Sequence, residues 1–376
     1  MALSSRERVL AAIGLAEPDR TPVDFAANPA TLARLQQDLG CATHRRLLER
    51  LQVDIVDLRD VVDPVYRGPV PFERRLAGGV TENFWGWRTR RMDTATGEEV
   101  CYCDFVLSDC QTEEELQAHT WPAADWFDFG DFAARLDAWE GFALMASGAS
   151  IWQHPSFLRG LDQLLMDLVM APPLAELLLD KFTDFYVDYF DRMFDAAAGR
   201  IDILRIADDL GMQDRLLISP ALFDQYFAPR LEHLVDMAHS HGVKVMFHSC
   251  GAIVPLIDSI IDLGVDVLDP IQVTADGMAP AGIKSRFGAR ICLHGAIDTQ
   301  YLLPQGSAAD VRRTAREMMT VLGAAGGYII APSHVLQTDV PTANVRALYE
   351  EAAQGARPPT ACPPDSQPPE HEGTRP

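Results

Sequence analysis

The sequence predicts a (β/α)8 TIM barrel. Two observations carry this: short runs rich in β-branched residues alternate with longer amphipathic stretches, and the runs repeatedly end in polar residues, as strands do when they open on a barrel mouth. With 376 residues, 48% hydrophobic and 23% charged, the chain has apolar content enough for one large α/β core.

In chain order, strands are predicted at 22–25, 53–58, 143–147, 203–208, 243–248, 265–269, 290–294 and 328–331, each an apolar run too short for a helix. Helices are predicted over 173–198, 220–240, 254–263, 308–322 and 343–352. Eight strands with a closing helix fit a closed barrel better than an open sheet. Residues 78–107 interrupt the alternation. Asn83-Phe-Trp-Gly-Trp-Arg-Thr-Arg-Arg and Glu99-Val-Cys-Tyr-Cys-Asp-Phe-Val read as turns and strands, so a β-hairpin insertion near the barrel mouth is expected. Its Trp85, Trp87, Tyr102 and Phe105 read as packing residues. Cys101, Cys103 and Cys110, without a partner histidine, read as buried or half-buried thiols. From Gln354 the composition turns polar and proline-rich. One catalytic domain over 1–355 and a disordered tail over 356–376, with Cys362 incidental within it, are therefore expected.

Charge excludes several functions. Lys and Arg number 32 against 54 Asp and Glu, a formal net charge of -22, so the clustered cations that bind nucleic acid or anionic membranes are not expected. No run approaches the ~18 apolar residues of a membrane span, and the N-terminal segment lacks a signal pattern. Seven cysteines without regular spacing do not make a disulfide framework, so a reducing, cytoplasmic setting is expected. A barrel helix exposed in a monomer and one buried in a homodimer look alike in sequence, so a homodimer is compatible with this chain.

Catalytic groups of a parallel barrel collect where strands end. Those positions hold Arg205, Asp208, Asp209 and Gln213; His248 and Cys250; Gln272; His294 and Asp298; and His334. His248 and Cys250 leave one strand end on the same side, about 6.5 Å apart, and a turn brings both onto one ion. Adding His334 makes three ligands with a fourth position free for water or substrate, the arrangement of catalytic zinc. Asp208 and Asp209 read as acid/base or substrate-orienting groups, one of them ionised beside Arg205, or as loop caps. Asp298 and His294 divide between catalysis or substrate contact and strand-end hydrogen bonding. Arg205, Gln213 and Gln272 read as substrate-binding.

These residues resemble the uroporphyrinogen decarboxylase superfamily, which includes corrinoid-dependent methyltransferases such as methylcobalamin:coenzyme M methyltransferase. The similar stretches are Arg6-Glu-Arg-Val-Leu-Ala-Ala-Ile with Pro18-Asp-Arg-Thr-Pro-Val-Asp24, Arg159-Gly through Met166-Asp-Leu, Asp208-Asp-Leu-Gly through Ser219-Pro, Phe247-His-Ser-Cys-Gly251, and Gly326-Gly-Tyr-Ile-Ile-Ala-Pro-Ser-His334. Decarboxylases of the family carry an Arg- and Gly-rich N-terminal segment that grips the substrate's carboxylate arms. Here Asp24-Phe-Ala-Ala-Asn-Pro stands in that region. The methyltransferases hold zinc by a His-x-Cys pair and a further Cys. The pair matches His248 and Cys250, while the third position falls on His334, and two imidazoles with one thiolate leave zinc a stronger Lewis acid than one imidazole with two thiolates.

The resemblance implies a zinc-dependent methyltransferase or demethylase. It would move a methyl group between a small methylated compound, an O-methyl ether among the candidates, and the cobalt of a corrinoid (cobalamin). Without an Asp-x-His-x-x-Gly pattern in this chain, that cofactor is expected on a separate partner protein. The alternatives are a metal-independent decarboxylase acting on a small carboxylic acid and a non-catalytic scaffold of the same fold.

Overall fold

The computed structural model describes residues 2–94 and 97–355. The predicted tail over 356–376, with Cys362, lies outside the described residues. Seven parallel strands form one curled sheet in sequence order: β1 (Ile55–Asp57), β2 (Ala143–Ala149), β3 (Ile203–Ala207), β4 (Lys244–His248), β5 (Val267–Ile271), β6 (Cys292–Ile297) and β7 (Tyr328–Pro332). The predicted strand at 22–25 does not form a regular ladder. It is a short extended segment bonded to both sheet edges: Asp24 N–H donates to the Ile330 carbonyl at 3.1 Å, Ile330 N–H to Pro22, and Asp54 N–H to Val23 at 2.8 Å. Proline at position 22 supplies no N–H, which limits the ladder this segment can build.

Side chains that point into the barrel recur at every second residue. One layer is apolar throughout: Ile55, Met145, Ile203, Met246, Val267, Cys292 and Ile329, all buried, are packed beneath by Val9, Ala12 and Ile13 of the helix Ser5–Ile13. Two residues further along the same strands stand Asp57, Ser147, Arg205, His248, Asp269, His294 and Ala331. The interior thus changes from hydrocarbon to a polar layer within one strand repeat, and the candidate site is that layer.

The N-terminal stretches that carried the family resemblance close the bottom of the barrel. Asp54, fully buried, accepts from Arg8 Nη1 at 2.7 Å, Arg20 Nη1 at 2.7 Å and Val23 N–H at 2.9 Å. Arg6 pairs with Asp202 at 2.7 Å. A buried carboxylate is tolerated only when charges and donors saturate it in this way.

Between β1 and β2 the chain makes a four-stranded antiparallel sheet from Glu73–Arg75, Val80–Asn83, Arg88–Thr94 and Gly97–Tyr102. Its Trp85 is buried and stacks on Phe182, centroids 4.5 Å apart, from the long helix Pro172–Ala197. The buried pair Arg159–Asp167, 2.7 Å apart, anchors the following segment, because Arg159 also donates to the carbonyls of Leu107, Ser108 and Cys110. Among the described residues no helix is long and apolar enough to cross a membrane.

Candidate metal centre

The loops after β3 and β4 are cross-bonded and set the site. Asp208 N–H donates to the His248 carbonyl at 2.9 Å, Leu210 N–H to Ser249 Oγ at 2.9 Å, and Ala252 N–H to Met212 O at 2.8 Å. Gly251 sits at φ +90°, and a Cβ there would lie 2.5 Å from the Gly211 carbonyl carbon. Only two glycines let these backbones approach so closely. The result places Asp209 Oδ1 2.9 Å from the Cys250 N–H and 3.6 Å from His248 Nε2, itself 3.5 Å from Cys250 Sγ.

Asp209, His248 and Cys250 therefore offer one oxygen, one nitrogen and one sulfur within 4.8 Å of one another. His248 Nδ1 lies 2.8 Å from Asp269 Oδ2. With Nδ1–H donating to that carboxylate, the Nε2 lone pair is free to ligate, the carboxylate–histidine arrangement that accompanies metal sites; Arg205 Nη2, a donor only, also lies 2.7 Å from Nδ1 and competes with Asp269 for that ring nitrogen. Burial, with the charges of Asp209 and Asp269, pushes the Cys250 thiol well up, so a metal entering here must displace a proton. His334 lines the same cavity but lies outside this tight trio. The trio pairs His248 and Cys250 with Asp209, where the sequence alone pointed to His334 as the third ligand, because the cross-bonded loops carry Asp209 onto the Cys250 backbone.

The cavity holds about 330 Å3 and is lined by Asp24, Asp57, Arg205, Asp209, His248, Asp269, His294 and His334, among others. Arg205 does not pair with Asp208 or Asp209, as the sequence suggested. It turns to Asp269, Nε to Oδ2 at 2.9 Å, because it leaves β3 two residues before the loop and points across the interior. His294 is likewise not at a strand end. It is buried in β6 between Asp269 Oδ1 at 2.7 Å and Asp24 Oδ2 at 3.1 Å. Burial opposes its charge, yet Asp269 and Asp24 raise its pKa to about 9. Asp269 is itself held well below the usual carboxylate range, against its burial, by Arg205, His248 and His294.

Asp208, Asp298, Gln213 and Gln272 serve the loops rather than the cavity lining. Asp208 is buried and accepts from Ser150 Oγ at 2.6 Å and from the N–H groups of Ile151, Trp152 and Gln153. Burial raises its carboxyl to about 6 against these donors. Its anchoring role delivers Gln153, whose Nε2 donates to Asp209 Oδ2 at 2.6 Å. Asp298 accepts from the N–H groups of Gln300, Tyr301 and Leu302 and so caps the turn after β6. Gln272 Oε1 accepts the Gly251 N–H at 2.8 Å, steadying the cysteine loop, and Gln213 donates to the Thr274 carbonyl at 2.6 Å. Sequence reasoning missed Asp24, Asp57, Gln153 and Asp269; the polar residue two places after each barrel-filling apolar one was the signal for Asp57 and Asp269.

The curled parallel sheet thus carries, at one end, a nitrogen, sulfur and oxygen donor set that could hold a metal ion, above a buried charge network. The particular family follows from comparison: the family described as uroporphyrinogen decarboxylase (URO-D) matches residues 136–354, more than half of the chain, and this chain belongs to it. Among solved structures, a methyltransferase from Methanosarcina mazei is 18% identical, covers 94% of this chain and 99% of its own, and superposes with a TM-score of 0.62. That likeness establishes a shared fold. Dihydropteroate synthases from Xanthomonas albilineans (16% identity, 44% and 58% coverage, TM-score 0.30) and Vibrio fischeri (10%, 89% and 94%, 0.32) superpose more loosely. No curated protein matches the chain in sequence.

Proposed function

We propose that this chain is a zinc-dependent methyltransferase, moving a methyl group between a small methylated substrate and the cobalt of a corrinoid carried by a separate protein. The observation that carries this reading is the donor trio at one barrel mouth, with His248 oriented by Asp269. The residues fit zinc: imidazole, thiolate and carboxylate are its ordinary ligands. His248, Cys250 and Asp209 would hold the ion, with His334 beside them at the cavity. When bound, zinc would supply Lewis acidity toward a heteroatom of the substrate.

The chain's own residues do the rest. Asp269 and Arg205 hold the His248 ring through Nδ1, and Gln153 and the Cys250 N–H fix Asp209. Arg205 and His294 are paired with Asp269 and Asp24, and Arg59 with Asp57, so each of these positive charges in the lining already has a carboxylate partner and none is left over to grip a polycarboxylate. A small neutral substrate suits this lining better than a tetrapyrrole. The antiparallel sheet over 73–102 is proposed to cover the mouth, and the free cysteines fit a reducing cytoplasm.

Zinc per chain, measured in protein purified without added metal or chelator, tests the reading. About one zinc in the parent and none in the His248→Ala, Cys250→Ala double variant is expected. A parent without zinc that acquires none on titration refutes it and favours a metal-independent decarboxylase.

A further inference from the structure

A second cavity of about 600 Å3 adjoins the first. Arg59 lines both, and Gln153 of the first is followed in the chain by His154 of the second. Eleven of its eighteen lining residues are Phe, Tyr or Trp, against 8% aromatic residues in the chain. The lining contains no Leu, Ile, Val or Met, although these dominate the core elsewhere. A packing gap between a helix and a sheet would draw on those aliphatic residues. Planar rings around a void match a planar occupant.

The aromatic walls come from helix Pro172–Ala197, from the antiparallel sheet and its flanks, and from Tyr66 and Phe127. Phe185 and Tyr189 of helix Pro172–Ala197 stack on each other with centroids 5.5 Å apart. Phe72 and Phe84 stack at 5.3 Å, and Phe127 joins the two pairs, 5.6 Å from Phe84 and 4.9 Å from Tyr189. Phe72 is 56% exposed, so part of this aromatic surface faces solvent. Beyond the tyrosine hydroxyls and indole N–H groups of the rings themselves, the polar side chains of the lining are Arg59, Asp63, Asn83, Ser147 and His154, with His154 Nδ1 paired to the Tyr186 hydroxyl. Among the described residues the buried Trp87 indole N–H has no acceptor. Many rings and a few polar groups are what a cavity needs to hold a ring bearing oxygen substituents.

We infer that this cavity is the subsite for an aromatic ring of the substrate, whose methylated oxygen reaches past Arg59 toward Asp209, His248 and Cys250. The substrate class is an aryl methyl ether. The placing of the methyl group rests on the methyltransferase reading; the ring subsite does not.

Calorimetric titration with 4-methoxyphenol and its saturated counterpart 4-methoxycyclohexanol tests the ring subsite, on protein whose zinc content is measured in the same preparation. The aromatic ligand is expected to bind at least about tenfold more tightly, and Tyr189→Ala and Phe72→Ala each to weaken it by about three- to tenfold with zinc content unchanged. Phe72, being largely exposed, is a site where truncation spares the core. Absence of binding at millimolar 4-methoxyphenol, equal binding of the two ligands, or unchanged affinity in both variants overturns the inference. Ring binding without zinc would remove the methyltransferase reading alone, and full zinc without ring binding would remove the ring subsite alone.

Discussion

Replacing His294 with Gln tests the buried charge layer. In the folded chain the His294 imidazolium lies between Asp269 and Asp24 and its pKa rises from 6.5 to about 9. At about 1.4 kcal/mol per pH unit, the protonated ring contributes about 3 kcal/mol to stability. The folded pKa exceeds the unfolded one, so this contribution is fully present below pH 6.5 and is lost as pH rises through 9. Urea denaturation of parent and His294→Gln at pH 6, 7, 8, 9 and 10 reads it as the difference between the two proteins. That difference should be largest at pH 6 and shrink by about 3 kcal/mol by pH 10. A difference that stays constant across the series would mean that His294 is neutral in the native state, and the charge assignments around Asp269 would fall with it.

Three further outcomes follow from the same geometry. Asp269→Asn removes the negative charge that faces His248 Nδ1 and should weaken zinc binding by about 10- to 100-fold in chelator competition; affinity within twofold of the parent would contradict the orienting role of that carboxylate. Arg159→Ala leaves Asp167 uncompensated in a buried site and should cost about 3–5 kcal/mol in urea denaturation, a loss under 1 kcal/mol being inconsistent with it. Gly251→Ala forces a Cβ to 2.5 Å from the Gly211 carbonyl carbon at positive φ, so zinc content should fall with stability, by more than about 1 kcal/mol; a fully loaded variant would show that the loops need no such contact.

Much of this architecture was legible in local sequence. Seven of the predicted strands form, since an apolar run bounded by turns has few other solutions in a chain of this composition. What local sequence did not contain was register. Strands were expected to end near Asp269 and His294, whereas β5 and β6 run on to Ile271 and Ile297, which moves both side chains into the barrel and makes them partners. The same blindness misplaced Arg205: its spacing from Asp208 is short along the chain, but successive strand residues face opposite ways. His248 and Cys250 were found because their spacing is local. Asp209 becomes their neighbour through Gly211 meeting Gly251, a contact between loops that no single segment displays. The aromatic stripe of Phe185, Tyr186, Tyr189 and Phe190 has helical spacing and looks like an ordinary core face until the cavity beside it is seen.

X-ray absorption at the zinc edge on the loaded protein tests the central claim most directly, because it reads the donor atoms. The account predicts one sulfur among nitrogen and oxygen ligands, with the sulfur lost in Cys250→Ser and the lighter shell altered in Asp209→Ala. A shell without sulfur, or a spectrum unchanged by Cys250→Ser, would place the metal elsewhere and contradict it.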